Sequence, residues 1–235
     1  MENEDENQES GLAKSHIKLN RGLLVRQFAG DVDPTFGIAP ISIFMAGSPG
    51  AGKTEFSRRL IEGFQSKPIV IDADDIRKII PGYLGGNSHV YQAAATKGVH
   101  ILYDYALEKK LNMILDGTFA YRLSIENVNR SLTRGRKVEI YYIYQEPKIA
   151  WIFTKKREEL ENRKVTLGLF INTFIVAREN VIKAKKIFGD KIKLNLVLKN
   201  YDTKTEKIYL DVSDIDDMLF RGYSVEDLQM ILGYN

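Results

Sequence analysis

The chain has 235 residues, no cysteine and three widely spaced histidines, which excludes disulfides and thiolate zinc sites and argues against a histidine metal cluster. With 44% hydrophobic and 28% charged residues it has the composition of a folded soluble protein, and no run reaches the roughly 18 apolar residues of a membrane span. The formal charge of +3 is uneven: residues 1–10 carry −5, while Arg130 to Lys199 hold 17 basic against 7 acidic residues. That excess suits nucleic acid, an anionic membrane or a phosphorylated small molecule, and equally a set of solvated helix faces.

The opening MENEDENQES is polar and acidic, unlike a secretory signal, so a cytoplasmic protein is expected. Residues 1–10 offer nothing to bury and read as a disordered tail. Residues 11–40 form an N-terminal extension in which Leu23, Leu24, Val25 and Phe28 mark a short helix, ended by the turn-rich GDVDPTFG.

From residue 41 strands and helices alternate. ISIFMAG is a buried strand, and KTEFSRRLIEGF sets Phe56, Leu60, Ile61 and Phe64 on one helical face. KPIVIDA is a second strand. A helix over Val90–Lys110 follows, then the strand LNMIL, the helix SIENVNRSL and the strand VEIYYIY. Pro147 suits the first turn of the next helix, which carries Trp151 and Phe153. A further helix covers roughly 167–188 and leads into the strand KLNLVL. The remainder, 201–235, reads as the strand EKIYLDV and two helices starting at Ser213 and Ser224, each with Asp three residues on. This order predicts an α/β fold of three layers, a mainly parallel sheet flanked by helices, with its core in residues 41–200.

Between the first strand and its helix stands GSPGAGKT, which matches G-x-x-x-x-G-K-[ST] at every fixed position. A chain of this length meets that pattern by accident roughly once in a hundred. Gly47, Ser48, Pro49, Gly50, Ala51 and Gly52 form a turn whose backbone N–H groups cradle phosphate at a helix N-terminus. Lys53 is expected on the β- and γ-phosphates, and the Thr54 hydroxyl on Mg²⁺. A nucleoside triphosphate site follows.

A kinase also needs a carboxylate near the γ-phosphate to orient a hydroxyl and accept its proton. IDADDIRKII puts Asp72, Asp74 and Asp75 at the carboxyl end of the second strand, where ligands of such sheets sit. Asp74, beyond the strand end, is assigned the chemistry. Asp75 is assigned the cap of the next helix, and Asp72 a turn or cap. Asp116, closing the third strand, suits either water-mediated Mg²⁺ binding or substrate contact. In TKKREELENRKVT, Arg157 and Arg163 supply planar, permanently charged donors, provided Asn162 ends the helix and frees Arg163 to turn inward; Arg178 is a further candidate. PGYLGGNSHVY holds Tyr83, Asn87 and His89 in a loop that is either an acceptor pocket, with Tyr83 stacked on a base or sugar, or an ordinary turn.

The set GSPGAGKT, VIDADDIRKIIPGY, ILDGT and RKVT resembles the zeta-toxin family of P-loop kinases over roughly residues 41–200. The resemblance implies ATP and Mg²⁺, phosphorylation of a hydroxyl on a UDP-activated amino sugar, and a small antitoxin protein as partner. It implies Asp74 as catalytic base, Asp116 and Thr118 as sugar contacts, and one arginine from the helix with a second just beyond it. This chain departs from the family in having Thr166 where proline is common and no glycine before Arg163. The expected activity is therefore small-molecule phosphotransfer, with neither nucleic acid nor membrane as partner. A polynucleotide or nucleoside 5′-kinase and a non-catalytic nucleotide-binding module are the alternatives.

Overall fold

Strands β1 (Ile41–Ala46), β2 (Ile69–Asp72), β3 (Met113–Asp116), β4 (Lys137–Tyr144), β5 (Lys193–Asn200) and β6 (Thr205–Tyr209) form one sheet in the order β2-β3-β1-β4-β5-β6. The structure is a computed structural model describing residues 2–35, 37–201, 205–219 and 222–233. The first five strands are parallel and β6 closes the edge antiparallel to β5. β1 lies between β3 and β4, so the chain departs from it to both sides. The crevice at its carboxyl end is the switch point where such sheets take ligands.

Alternation along β1 explains the layers. Ile43 and Met45 face the helix α3 (Lys53–Glu62), meeting Phe56, Leu60, Ile61 and Phe64, the four residues expected on one face. Phe44 and Ala46 face the larger core on the other side, with α5 (Ser88–Glu108), α6 (Ser124–Leu132) and α8 (Leu167–Phe188). Each aliphatic side chain buried this way stabilises the fold by about 1.5–3 kcal/mol. A third cluster joins α7 (Pro147–Glu161) and α8 to α9 (Val225–Leu232) through Trp151, Phe170, Phe174 and Leu228. Among the described residues no helix is long and apolar enough to cross a membrane.

Three local expectations need correction. Residues 2–10 are not a disordered tail: helix α1 (Glu2–Leu19) runs through them, while Met1 lies outside the described residues. Ala13 and Ile17, four apart, bury one face in the main core. Upstream, Tyr91 Oη donates to Glu9 at 2.6 Å and His89 lies 3.1 Å from Glu6. Composition over ten residues missed an anchor that lies beyond them. The helix α2 (Arg21–Ala29) stands where the apolar run placed it. The second correction concerns the cap of α4 (Ala73–Lys78). Asp72 takes it, accepting from the Asp74 N–H at 2.7 Å, while Asp75 is exposed and pairs with Lys78. The third is at Ser213, where no helix starts. Asp214 accepts from the Asp216 N–H at 2.9 Å, and the chain makes a single turn that tucks Ile215 and Leu219 into the core. One turn does not repay helix nucleation. Ser224 does open a helix, with a full capping box to Asp227.

Candidate active site

The phosphate loop joins β1 to α3, and its conformation is open only to glycine at two points. Gly50 has φ +70°, and a Cβ there would lie 2.0 Å from the Ala150 carbonyl oxygen; Gly47 has φ +132° and a Cβ would meet the Ile143 carbonyl oxygen at 2.3 Å. Gly52, also left-handed, caps α3, and Lys53 begins it. The Lys53 ammonium donates to the Ser48 carbonyl at 2.6 Å, folding back over the loop. Burial pulls its pKa down to about 8, against the opposing pull of Asp116. Thr54 follows in the first turn, half-buried.

The third strand ends against this loop. The Gly47 N–H donates to the Thr118 carbonyl at 3.1 Å, and the Thr118 hydroxyl accepts from the Ala120 N–H. Asp116 is 8% exposed and its Oδ2 accepts from the Ser57 hydroxyl at 2.9 Å. Ser57, one turn along α3 from Lys53, escaped the motif-based reading, and no motif flags it. Burial raises the Asp116 carboxyl, with Lys53 and Ser57 pulling the other way. Asp72 lies in register with Asp116 on the neighbouring strand. Burial first, then the charges of Asp74 and Asp116, push Asp72 up to about 7.

Asp74 is where separate segments meet. β2 ends at Asp72, so Asp74 sits in the first turn of α4 rather than on an extension of the strand. Arg77 Nη1 donates to its Oδ1 at 2.7 Å. Its Oδ2 accepts from Arg157 Nη2 at 3.3 Å and from Arg163 Nη1. Arg157 is on α7, where it also pairs with Glu161 at 2.8 Å. Asn162 ends that helix in the left-handed conformation, φ +53°, and the reversal turns Arg163 inward as expected. Burial alone would raise the Asp74 carboxyl, but Arg163, Arg77 and Arg157 together outweigh it and hold it below the usual carboxylate range. Asp74 is therefore ionised at neutral pH.

The other candidates lie farther out. Tyr83 is half-buried, edge-on to Tyr91 with ring centroids 5.8 Å apart. Its loop is closed by Asn87, which donates to the Gly82 carbonyl and accepts from the Leu84 N–H. The loop abuts the end of α7, since a Cβ on Gly85 would lie 2.6 Å from the Glu161 carbonyl oxygen. Arg178 is not brought to the cluster; it forms an ion pair with Asp216. Phe119 has φ +62°, uncommon for a bulky residue, and is held there by its buried ring and by the Asn180 amide, which donates to its carbonyl. Among the described residues no group of three or more His, Cys, Asp or Glu is arranged to hold a metal unaided.

Residues 29–209 match the family model described as Zeta toxin. The chain is 29% identical over 129 residues to Toxin PezT of Streptococcus pneumoniae serotype 4 (strain ATCC BAA-334 / TIGR4), an alignment spanning about half of each protein, 51% and 51%. Its fold is similar to a chain in a structural characterisation of the PezAT chromosomal toxin–antitoxin system of Streptococcus pneumoniae, with TM-score 0.68, 19% identity and 92% of each chain covered. It is also similar to a chain in the AvrRxo1-ORF1:AvrRxo1-ORF2 structure with sulphate ions, with TM-score 0.58 and 13% identity, covering 95% of this chain and 70% of the other.

Proposed function

The chain belongs to the zeta-toxin family, and from that premise we propose that it is an ATP-dependent kinase transferring the γ-phosphate to a hydroxyl of a UDP-activated amino sugar. One observation carries this reading: Asp74, Arg157 and Arg163, the arginines 83 and 89 residues away in sequence, converge beside a complete phosphate loop. A motor or switch has no need of a carboxylate so placed; a hydroxyl acceptor does.

Asp74 orients the acceptor hydroxyl and takes its proton. Its lowered pKa does not disqualify it, because phosphoryl transfer passes through a loose transition state in which strong deprotonation is not demanded. Lys53, Arg157 and Arg163 neutralise charge on the moving phosphoryl group. Mg²⁺ fits the oxygen donors present: the Thr54 hydroxyl in the first turn of α3 and one carboxylate such as Asp116 would hold it alongside phosphate oxygens, as magnesium prefers. When bound, it supplies charge neutralisation between the phosphates. Asp116, Thr118 and Tyr83 are the proposed acceptor contacts. Of the 17 basic residues in 130–199, eight are engaged within the protein, which reduces the charge left for a nucleic-acid strand. Arg130, Lys155, Arg157, Arg163, Arg178, Lys185 and Lys199 sit in ion pairs and Arg136 is buried. A protein antitoxin and a cytoplasmic setting complete the proposal.

The test is incubation of the purified chain with ATP, Mg²⁺ and UDP-N-acetylglucosamine, with products read by mass. A gain of one phosphate on the sugar nucleotide is expected. Binding of the sugar nucleotide without any phosphorylated product rejects the substrate.

A further inference from the structure

Arg77 differs from the other cations around Asp74 in being 2% exposed. Its Nη1 donates to Asp74 Oδ1 at 2.7 Å and its Nη2 to Gln92 Oε1 at 3.2 Å, while its Nε has no hydrogen-bond partner among the described residues. Burying a guanidinium costs several kcal/mol, and one carboxylate with one amide does not return all of it. An apolar side chain would fill this space, beside Ile76 and against α5, at lower cost to the fold. The geometry gives the charge another use. Arg77 stands three residues after Asp74, on the same face of α4. It occupies Oδ1 from the buried side and leaves Oδ2 to the α7 side, where Arg157 and Arg163 meet it. Asp72 meanwhile fixes the Asp74 backbone by accepting its N–H.

We propose that Arg77 is a positioning residue: it pins one oxygen of the Asp74 carboxylate so that the other faces the phosphate loop and the acceptor. The proposal rests on the reading of Asp74 as base. The charges around Asp74 come from several elements: Arg157 on α7 and Arg163 just after it, Arg77 and Asp75 on α4 itself, Asp72 ending β2, Asp116 ending β3 and Lys53 opening α3. Arg77 is the cation among them that water screens least, so its removal has a direct signature on Asp74 besides any loss of rate.

The experiment compares the full chain with Arg77→Met, Arg77→Lys and Asp74→Asn. Asp74 is titrated by carbon NMR on aspartate labelled at the carboxyl, its resonance identified by its disappearance in Asp74→Asn. In Arg77→Met the Asp74 midpoint moves up, the acidic limb of the rate profile moves with it, and kcat falls by about 100-fold, the scale of a small misplacement of a reacting group. Nucleotide affinity is unchanged. In Arg77→Lys the midpoint returns towards the parent value because the charge is back, and the rate recovers only in part because the planar fork is not. A folded Arg77→Met protein with the parent midpoint overturns the proposal, whatever its rate. If Arg77→Met does not fold, Gln92→Leu decides. It frees Nη2 from an exposed position and should raise the midpoint in the same direction, with a several-fold loss of rate; parent values for both overturn the proposal. The titration needs no acceptor. If Asp74→Asn retains transfer while Arg77→Met shifts the midpoint, the assignment of the base fails and the hold on Asp74 stands.

Discussion

Gly47 to Thr54 build the phosphate loop from consecutive residues, whereas the cluster beside it draws Asp74 and Arg77 from α4, Arg157 from α7 and Arg163 from the turn after it. The first region is specified locally. Three glycines of positive φ, Gly47, Gly50 and Gly52, and a helix N-terminus shape it, and the phosphate binding proposed for it rests on that backbone. The second exists only once the sheet has brought distant segments together, and it carries the charges proposed to act on the phosphate. On the proposed reading binding and transfer are separable, and substitutions should separate them.

The largest effect is expected at Asp74. Asp74→Asn should lower phosphoryl transfer by about 10²–10⁴-fold, the usual worth of a positioned base, and leave nucleotide affinity near the parent value. Gly50→Ala should do the reverse, abolishing nucleotide binding, because its Cβ would press into the Ala150 carbonyl and force the loop out of shape. Loss of nucleotide affinity in Asp74→Asn would erase the distinction and give the carboxylate a metal-holding or structural role. Arg163→Ala comes next, at about 10²–10³-fold in kcat, the scale of losing one preorganised donor. Arg157→Ala should cost less, since its contact to Asp74 is the longer one at 3.3 Å and it is shared with Glu161.

A smaller effect sharpens the binding side. Lys53 has its pKa pulled down to about 8 by burial, so its charge is half lost at that pH and goes as pH rises further. Phosphate favours the charged form, and nucleotide affinity should therefore weaken as pH rises through about 8, read by calorimetric titration. An affinity flat from neutral pH to well above this midpoint would show that the ammonium stays charged in the free protein.

The same division explains what could be read from the chain alone. The phosphate loop, the strand–helix alternation and the inward turn of Arg163 after Asn162 were legible because each depends on neighbours in sequence: a motif, a period, a helix end. Ser57 and Arg77 were not, since a serine or arginine in a helix carries no signal until the partner carboxylate is placed beside it. Residues 2–10 defeat composition for a related reason, as their helix is secured by Ala13 and Ile17 and by contacts to α5, outside any short window. Arg178 is a further candidate from sequence, and its place on α8 pairs it with Asp216 instead.

The smallest predicted effect is on stability and concerns Asp72, the carboxylate on the seam between the two regions. Its pKa is pushed from 3.8 unfolded to about 7 folded, by burial and then by Asp74 and Asp116. Between those values the folded chain holds the proton that the unfolded chain has released, so stability falls as pH rises through that window. Asp72→Asn should flatten the fall, because asparagine stays neutral and still accepts the Asp74 N–H that caps α4. The slope left in the variant combines Asp116, also raised by burial, with His100, which burial lowers and which acts with the opposite sign. Asp74, whose pKa is lowered, and Lys53, with its midpoint at about 8, change stability outside this window. The difference between parent and variant in their denaturation midpoints at about pH 5 and about pH 7.5 therefore isolates the seam. An undiminished slope in Asp72→Asn would mean that Asp72 is already ionised at neutral pH and that its charge is met by Lys53, joining the two regions into one electrostatic unit.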